Sequence, residues 1–448
     1  MAAKTLISML AAVSSAAALT CQVAGGTSDD SPAILAALKQ CNNGGTVVLD
    51  KTYTIGSVLQ TEDLSNIAIQ LSGTVSLSTD LSYWQKNSIQ LTYQDAYTAW
   101  AIGGSNIHVG PPSPGTAIIP DKLSRSTAAV LTMEEVTVRG SHLPSGNSEC
   151  SLTSAAAWYA AGKTGPIMLT LLNAKNVLVE HITMNKSPFW HNLVEGCTNV
   201  TYSHVNMNSV QTSGKQAQNT DGWDTYRSSQ VTITDCTVIN GDDCVSFKPN
   251  STDITVKNLY CQGSHGISVG SLGQYAGQVD IVRNIYAKNI TMVNASNGAR
   301  IKAWGGSASP TSTSGGGTGV VQNVTFDTFT MKNVDLPIVI DQCYMTSAAA
   351  CAQHPSGVTI SDVHYIDVTG TGGKAAEVVS MVCSDVCQDI TATGTKLVGT
   401  KGGAEYICKN VASTDKLDFP CSATGVTVGG GTTKTSKTAK ATATKSLG

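Results

Sequence analysis

Asn176-Val-Leu-Val179, Asn199-Val-Thr-Tyr202, Gln230-Val-Thr-Ile233 and Asp253-Ile-Thr-Val256 repeat one short phrase, a turn-forming polar residue followed by alternating apolar and polar positions. The steps from Val177 to Val200 and from Val231 to Ile254 are equal, with a period in the low twenties. The steps from Val200 to Val231 and from Ile254 to Ile285 are also equal to each other but longer, one period plus a loop. Asn323-Val-Thr-Phe326 and Gly357-Val-Thr-Ile360 continue the series. Alternation with period 2 puts every second side chain on one face of a strand, and its return at a longer fixed spacing is how a chain stacks coil on coil. A β-sandwich also alternates, but its turns recur every ~8–12 residues without longer-range similarity. The phrase therefore predicts an all-β fold, a parallel β-helix.

Working outward, Asn66-Ile-Ala-Ile-Gln70 and Asn106-Ile-His-Val109 read as earlier coils, and Asp29–Gln40 as a short N-terminal helix that caps the open end. A bare solenoid end would expose core and unpaired strand edges, so a cap is required. Residues 110–154 are rich in Pro, Ser and Ala and read as an irregular insertion; Gly305–Gly319 is a Gly/Ser loop; residues 426–448 form a Thr/Lys/Ala tail expected to be disordered. No charged linker divides residues 19–425, which are expected to form one catalytic domain. Residues 1–18 carry one cation, Lys4, then the apolar Leu6–Val13 and the small-residue exit Ala16-Ala-Ala18, the pattern of a secretory signal peptide too short to span a bilayer.

Export agrees with 13 cysteines, an odd number that leaves at least one unpaired within the chain. Cys244 and Cys261, on neighbouring coils, are the pair expected to bridge, because the ~4.8 Å strand spacing falls in the range a disulfide tolerates. Six sequons occur; Asn250, Asn289, Asn294 and Asn185 are the expected glycan acceptors. Asn199 and Asn323 open apolar repeats and are expected to stack inside the solenoid. Without Lys4 and the tail lysines 434, 437, 440 and 445, the body has 23 cations against 31 acids, which argues against a nucleic-acid partner. A polyanionic ligand would be held by a few placed cations. No membrane partner is expected, and the chain is expected to work as a monomer.

Four clusters fall at the coil spacing: Asn219-Thr-Asp-Gly-Trp-Asp224, Gly241-Asp-Asp-Cys244, Ser264-His-Gly266 and Arg300-Ile-Lys302. Asp221, Asp242 and His265 follow one another at nearly the repeat period, so stacked coils gather three carboxylates and an imidazole on one wall. Adjacent Asp242 and Asp243 repel, and one of them is expected to keep its proton, as acid-assisted hydrolysis needs. Gly241 permits a bend that turns both outward, and His265 can tune the donor. Alternation sends Arg300 and Lys302 outward and Ile301 inward. The two cations either bind the carboxylate of an acidic sugar or simply neutralise the aspartates. Taken singly, Asp-Gly pairs are common turns and a lone His is usually structural.

Together, the four clusters resemble the motifs of glycoside hydrolase family 28, the polygalacturonases, over about Pro166 to Tyr344. The resemblance implies a right-handed parallel β-helix of the pectin-lyase-like type and hydrolysis of α-1,4-galacturonosyl links with inversion, without metal or other cofactor. By motif, Asp242 would be the general acid, Asp221 and Asp243 would hold the water, and His265 would support the acid. Asn219, Arg300 and Lys302 would bind a pectic substrate, with Tyr344 as a subsite residue. Ser264-His-Gly266 stands where endo-acting members carry Gly-His-Gly; continuing as Ile267-Ser-Val-Gly-Ser-Leu-Gly-Gln-Tyr275, and with Gly241-Asp-Asp-Cys-Val-Ser-Phe-Lys-Pro249, it is similar to the fungal exopolygalacturonase branch, and exo action needs a blocked cleft that a loop such as Gly305–Gly319 could supply. The Asp-Gly-Asn-Gly turn that the family places before Trp158-Tyr159 is absent. One coil of offset is shorter than the ~6.5–9.5 Å of ordinary inverting glycosidases, so inversion rests on the resemblance alone. Endo action, rhamnogalacturonan or xylogalacturonan hydrolysis, calcium-dependent lyase chemistry and a non-catalytic wall-binding solenoid remain the alternatives.

Overall fold

A computed structural model describes residues 18–112, 129–133, 136–138, 150–152, 165–210 and 217–428, of which the segments between 129 and 152 are described as backbone only. Residues 1–17, where a signal peptide is expected, most of 110–154 and the expected tail beyond 428 lie outside the described residues.

Among the described residues, nearly every strand belongs to one 27-stranded ladder in which neighbours run parallel except at its last pair. Val177 pairs in register with Val200, Val200 with Val231, Val231 with Ile254 and Ile254 with Ile285, so the repeated phrase is one position on successive coils. Ile67, Ile107 and Val177 extend the same column to earlier coils. The inward residues of each coil pack as one elongated core, including Tyr202, Trp223, Phe247, Phe326 and Tyr365.

Both ends are closed. Helix α1 (Ser31–Gln40) buries Ile34, Ala37 and Leu38 over the first coils, starts with proline at its first turn and is anchored by the Cys21–Cys41 disulfide. At the other end Val426–Val428 pairs antiparallel with Ala404–Tyr406, so the last parallel edge is not left bare. Two departures from the sequence reading concern the flanks. Within 110–154, Ala129–Met133 is a ladder strand between Thr74–Leu77 and Ile182–Asn185, because Ala-Val-Leu-Thr-Met carries ordinary strand residues; that part is not an irregular insertion. Asn199 and Asn323 do stack, but outside the core. Their φ values are 56° and 54°, a left-handed conformation that asparagine tolerates, and this aims the side chain at solvent. There each amide donates to the asparagine one coil earlier, Asn199 Nδ2 to Asn176 Oδ1 and Asn323 Nδ2 to Asn284 Oδ1, both at 2.8 Å.

Among the expected glycan acceptors, Asn289 donates through Nδ2 to Asn258, Asn294 accepts from Asn333, Asn250 accepts from the Ile281 amide, and Asn185 ends the half-exposed strand Ile182–Asn185. The structure bridges Cys244 with Cys261 and, among the described residues, forms four further disulfides; Cys197 and Cys236 are free and buried.

Candidate active site

One face of the solenoid stacks Asn192–Glu195, Trp223–Tyr226, Val245–Phe247, Ile267–Leu272, Asn297–Trp304 and Leu336–Tyr344 in parallel register. The expected acids sit in the turns that enter these strands. Two glycines let the turns stack closely. A Cβ on Gly222 would lie 2.5 Å from the Cys244 carbonyl, and one on Gly266, at φ +117°, would lie 2.6 Å from the Gly298 carbonyl. Asp221 and His265 are thus each followed by a residue that can only be small. Asn240 ties two turns together, donating to the carbonyls of Thr220 at 2.8 Å and Asp243 at 2.9 Å.

Oxygens of Asp221, Asp242 and Asp243 all come within 4.8 Å of one another. A trio so close could ligate a cation, but cationic side chains already neutralise it. Lys302 Nζ is 2.6 Å from Asp243 Oδ2, and Ser268 Oγ donates to Asp243 Oδ1 at 2.7 Å. His265 Nδ1 is 3.1 Å from Asp242 Oδ1. Asn219 faces the same carboxylate, its backbone N at 3.3 Å and Nδ2 at 3.4 Å from Asp242 Oδ2.

The proton inventory differs from the sequence expectation. Neither of the adjacent aspartates is the group pushed up. Burial raises Asp242, but the His265 hydrogen bond and nearby cations outweigh it and hold the carboxyl below its ordinary value. Burial also acts on Asp243, yet Lys302, Arg300 and Lys248 hold it well below the usual carboxylate range. The raised groups are Asp221, pushed well up by burial and then by Asp224 and Asp242, and Asp224, which burial carries to about 6 despite Lys248. The hydrogen bond to Asp242 raises the His265 imidazole against its own burial. Asp221 Oδ1 is buried and finds no partner among the described residues, which leaves it able to accept from a water or substrate hydroxyl.

The cations divide the two roles that were open. Ile301 is fully buried and Lys302 points outward as alternation requires, but Lys302 is committed to Asp243. Arg300 is half-exposed and stands 5.4 Å over the Tyr344 ring, with Nε buried and unpartnered among the described residues. Tyr344 also packs edge-on against Trp304.

Several contributors were not singled out from the sequence. Lys248, at the far end of the strand that follows Asp243, is 6% exposed and lies 3.1 Å from Asp224 Oδ1, 3.8 Å from Asp221 Oδ2 and 5.3 Å over Trp190. Alternation through Val245-Ser-Phe-Lys248 places it on the outward face beside Asp224, the signal that could have revealed it. His191, depressed to about 4 by burial, donates through Nδ1 to the Asp221 carbonyl at 3.1 Å and accepts at Nε2 from Ser209. Its neutral ring fixes the backbone under Asp221.

With this geometry, sequence comparison is decisive. A model of the "Glycosyl hydrolases family 28" matches residues 115–418. The chain belongs to glycoside hydrolase family 28. A relative from Aspergillus terreus named "Probable exopolygalacturonase X" is 40% identical over 90% of this chain and 88% of its own. The "Exopolygalacturonase" of Cochliobolus carbonum is 41% identical over 86% of this chain and 82% of its own. Among solved structures, the endo-xylogalacturonan hydrolase of Aspergillus tubingensis superposes with TM-score 0.71 at 30% identity, covering 90% of this chain and 98% of that one. An exopolygalacturonase from Thermotoga maritima shares the fold with TM-score 0.61 at 16% identity, over 92% and 94% of the chains. Membership of family 28 makes the chain a glycosidase.

Proposed function

We propose that this family 28 enzyme is a secreted exopolygalacturonase that releases galacturonic acid from the non-reducing end of pectic chains, with the carboxylate cluster as its reaction centre. The observation that carries the reading is the pairing of an acid trio, buried except for the partly exposed Asp242, with one cation, Arg300, that no aspartate among the described residues engages in an ion pair. The names of the relatives at 39–43% identity support exo action on polygalacturonate. Retention of both Arg300 and Lys302 favours plain polygalacturonate over the xylose-bearing polymer named for the Aspergillus tubingensis structure. The signal-like start supports secretion, no helix among the described residues is long and apolar enough to cross a membrane, and glycans would sit at Asn185, Asn250, Asn289 or Asn294.

In the reaction, Asp242 gives its proton to the glycosidic oxygen while a water attacks the anomeric carbon. Asp243, ionised by Lys302, takes the water's proton, and the free Oδ1 of Asp221 orients that water. Asp242 is loaded locally. A substrate carboxylate entering the cleft adds negative charge beside it, which favours transfer of the proton from the His265 imidazolium 3.1 Å away. Arg300 fixes the sugar carboxylate in a charge-assisted contact. Asn219 and Lys302, expected to bind substrate, act here chiefly by holding Asp242 and Asp243.

Digestion of a defined oligogalacturonide tests the reading: early products are monomer and a chain shortened by one, whereas a spread of oligomers refutes exo action. Proton NMR of the first product tests inversion, with the β-anomer expected. An α-anomer would fit the short carboxylate separations instead and overturn the direct-water mechanism.

A further inference from the structure

Leu91–Ala96 forms the tip of a small antiparallel hairpin, Ile89–Gln90 paired with Tyr97–Thr98, inserted between early coils. A short polar-aromatic tip on an early coil would ordinarily be a solvent-exposed turn. Here it lies over later coils and builds a second apolar cluster, separate from the solenoid core, with Trp190, Leu193 and Tyr226. Three contacts fix its course along the site face. Thr92 Oγ1 donates to Glu195 Oε1 at 2.8 Å; the Tyr93 ring stacks on Tyr226 at 4.2 Å; Gln94 Nε2 donates to Gln274 Oε1 at 3.0 Å, a partner far along the chain.

The consequence appears in the outward positions of the wall. Leu193, which faces out on the coil before Asp221, is 0% exposed because it packs in the cluster under the hairpin and not in the solenoid core; Asp224, Ser246 and Ser268, next in the same outward column, are equally buried but meet Lys248, Gly270 and Asp243 instead of the hairpin. On the opposite side of the acid cluster, Arg300, Asp341 and Tyr344 remain partly exposed. Among the described residues, therefore, the hairpin covers the cleft before Asp221, and the wall beyond His265 stays partly exposed. The roof starts over Asn192–Glu195, one strand from the Asp221 coil and two from the Asp242 coil, about 5–10 Å away at ~4.8 Å per strand. That distance takes about one pyranose ring.

We infer that the Leu91–Ala96 hairpin, closed down on Trp190 and Tyr226, is the element that dead-ends the cleft and restricts cleavage to the terminal sugar. This rests on the exo reading above, and assigns the block to the hairpin rather than to Gly305–Gly319. That loop packs instead against the Gly273–Gln278 turn and His354, through Gly315 N to Gln274 O and Gly306 N to His354 O.

The test uses the full-length enzyme and a defined oligogalacturonide longer than the open side of the cleft. Two variants are compared with the wild type: one with Leu91–Ala96 replaced by Asn-Gly, which joins the hairpin strands by a two-residue turn, and a milder Tyr93→Ala, which thins the roof but keeps the hairpin. Circular dichroism and thermal unfolding establish which variants keep the fold. Dimer and trimer among the earliest products, at levels the wild type does not reach, with a faster viscosity drop per bond cut, support the assignment. Monomer-only release by a folded variant with the roof removed overturns it. Should the shortened chain fail to fold, Tyr93→Ala decides by the same criterion: a rise in dimer above wild type supports the roof, an unchanged profile overturns it. Oligomers from the wild type would instead sink the exo reading, before either variant matters.

Discussion

Replacing Lys248 by Met removes the cation that compensates Asp224 and Asp221 while preserving most of the aliphatic stem. Asp224 is fully buried, and Lys248 Nζ at 3.1 Å is the charge that balances it. Breaking a buried pair by deleting one partner costs about 3–5 kcal/mol, because the other charge is left uncompensated. The contact with Trp190 adds about 0.5–2 kcal/mol to the loss. Asp224 has an escape, however. Its carboxyl already titrates at about 6 with the lysine present, above the ordinary 3.8, and without it would titrate higher still. An acid whose folded value is raised destabilises the fold fully above that value; the penalty shrinks as pH falls through it and is gone only below the unfolded value, and at pH 5 wild type and variant carry the same remainder. The variant should therefore lose about 3–5 kcal/mol relative to wild type at pH 8 and about 1–2 kcal/mol at pH 5, where Asp224 carries a proton and only packing is lost. Urea unfolding at both values, with unchanged slope, measures the difference. Equal losses at the two pH values, or a loss below about 1 kcal/mol at pH 8, would refute the view that this pair anchors the floor of the site.

Asp242→Asn should lower turnover by about 10²–10⁴-fold, the usual worth of a general acid, with the thermal midpoint little changed; reducing-sugar release and calorimetry check it. For His265, whose imidazole is raised by Asp242, the proton is present below the raised value and lost as pH rises through it. Wild-type kcat/KM should fall along that alkaline limb, and His265→Asn should lower the rate at acid pH and remove the limb; an unchanged pH profile would show that His265 does not load the acid. Substituting Cys244 and Cys261 together by Ala opens the short loop that their disulfide closes and should cost about 3 kcal/mol in denaturant titration.

The fold was legible because the apolar alternation and the coil period agree, and both follow from strand geometry that tertiary context does not override. Val177, Val200, Val231 and Ile254 fall in one column for that reason. The acid turns were legible too, since a residue that enters equivalent strands on adjacent coils must lie beside its counterpart. Protonation was not. Mutual repulsion of Asp242 and Asp243 is a local property of sequence, but Lys302 and His265 reach them from other coils and reverse its outcome. Lys248 was hidden in a run read for its resemblance and not for its side-chain direction. The hairpin was beyond sequence reasoning because its contacts join Gln94 to Gln274, a distance that no periodicity reports.

The unequal steps between coils bear on how such enzymes change over time. The chain takes a longer path from Ile254 to Ile285 than from Val231 to Ile254, yet all three occupy one column without a slip in register. The extra length goes into the turn Gly273–Gln278, between the strands Ile267–Leu272 and Val279–Val293. New rim segments can be gained, lost or exchanged without displacing the acids below, so what the enzyme accepts can diversify while its chemistry is inherited intact.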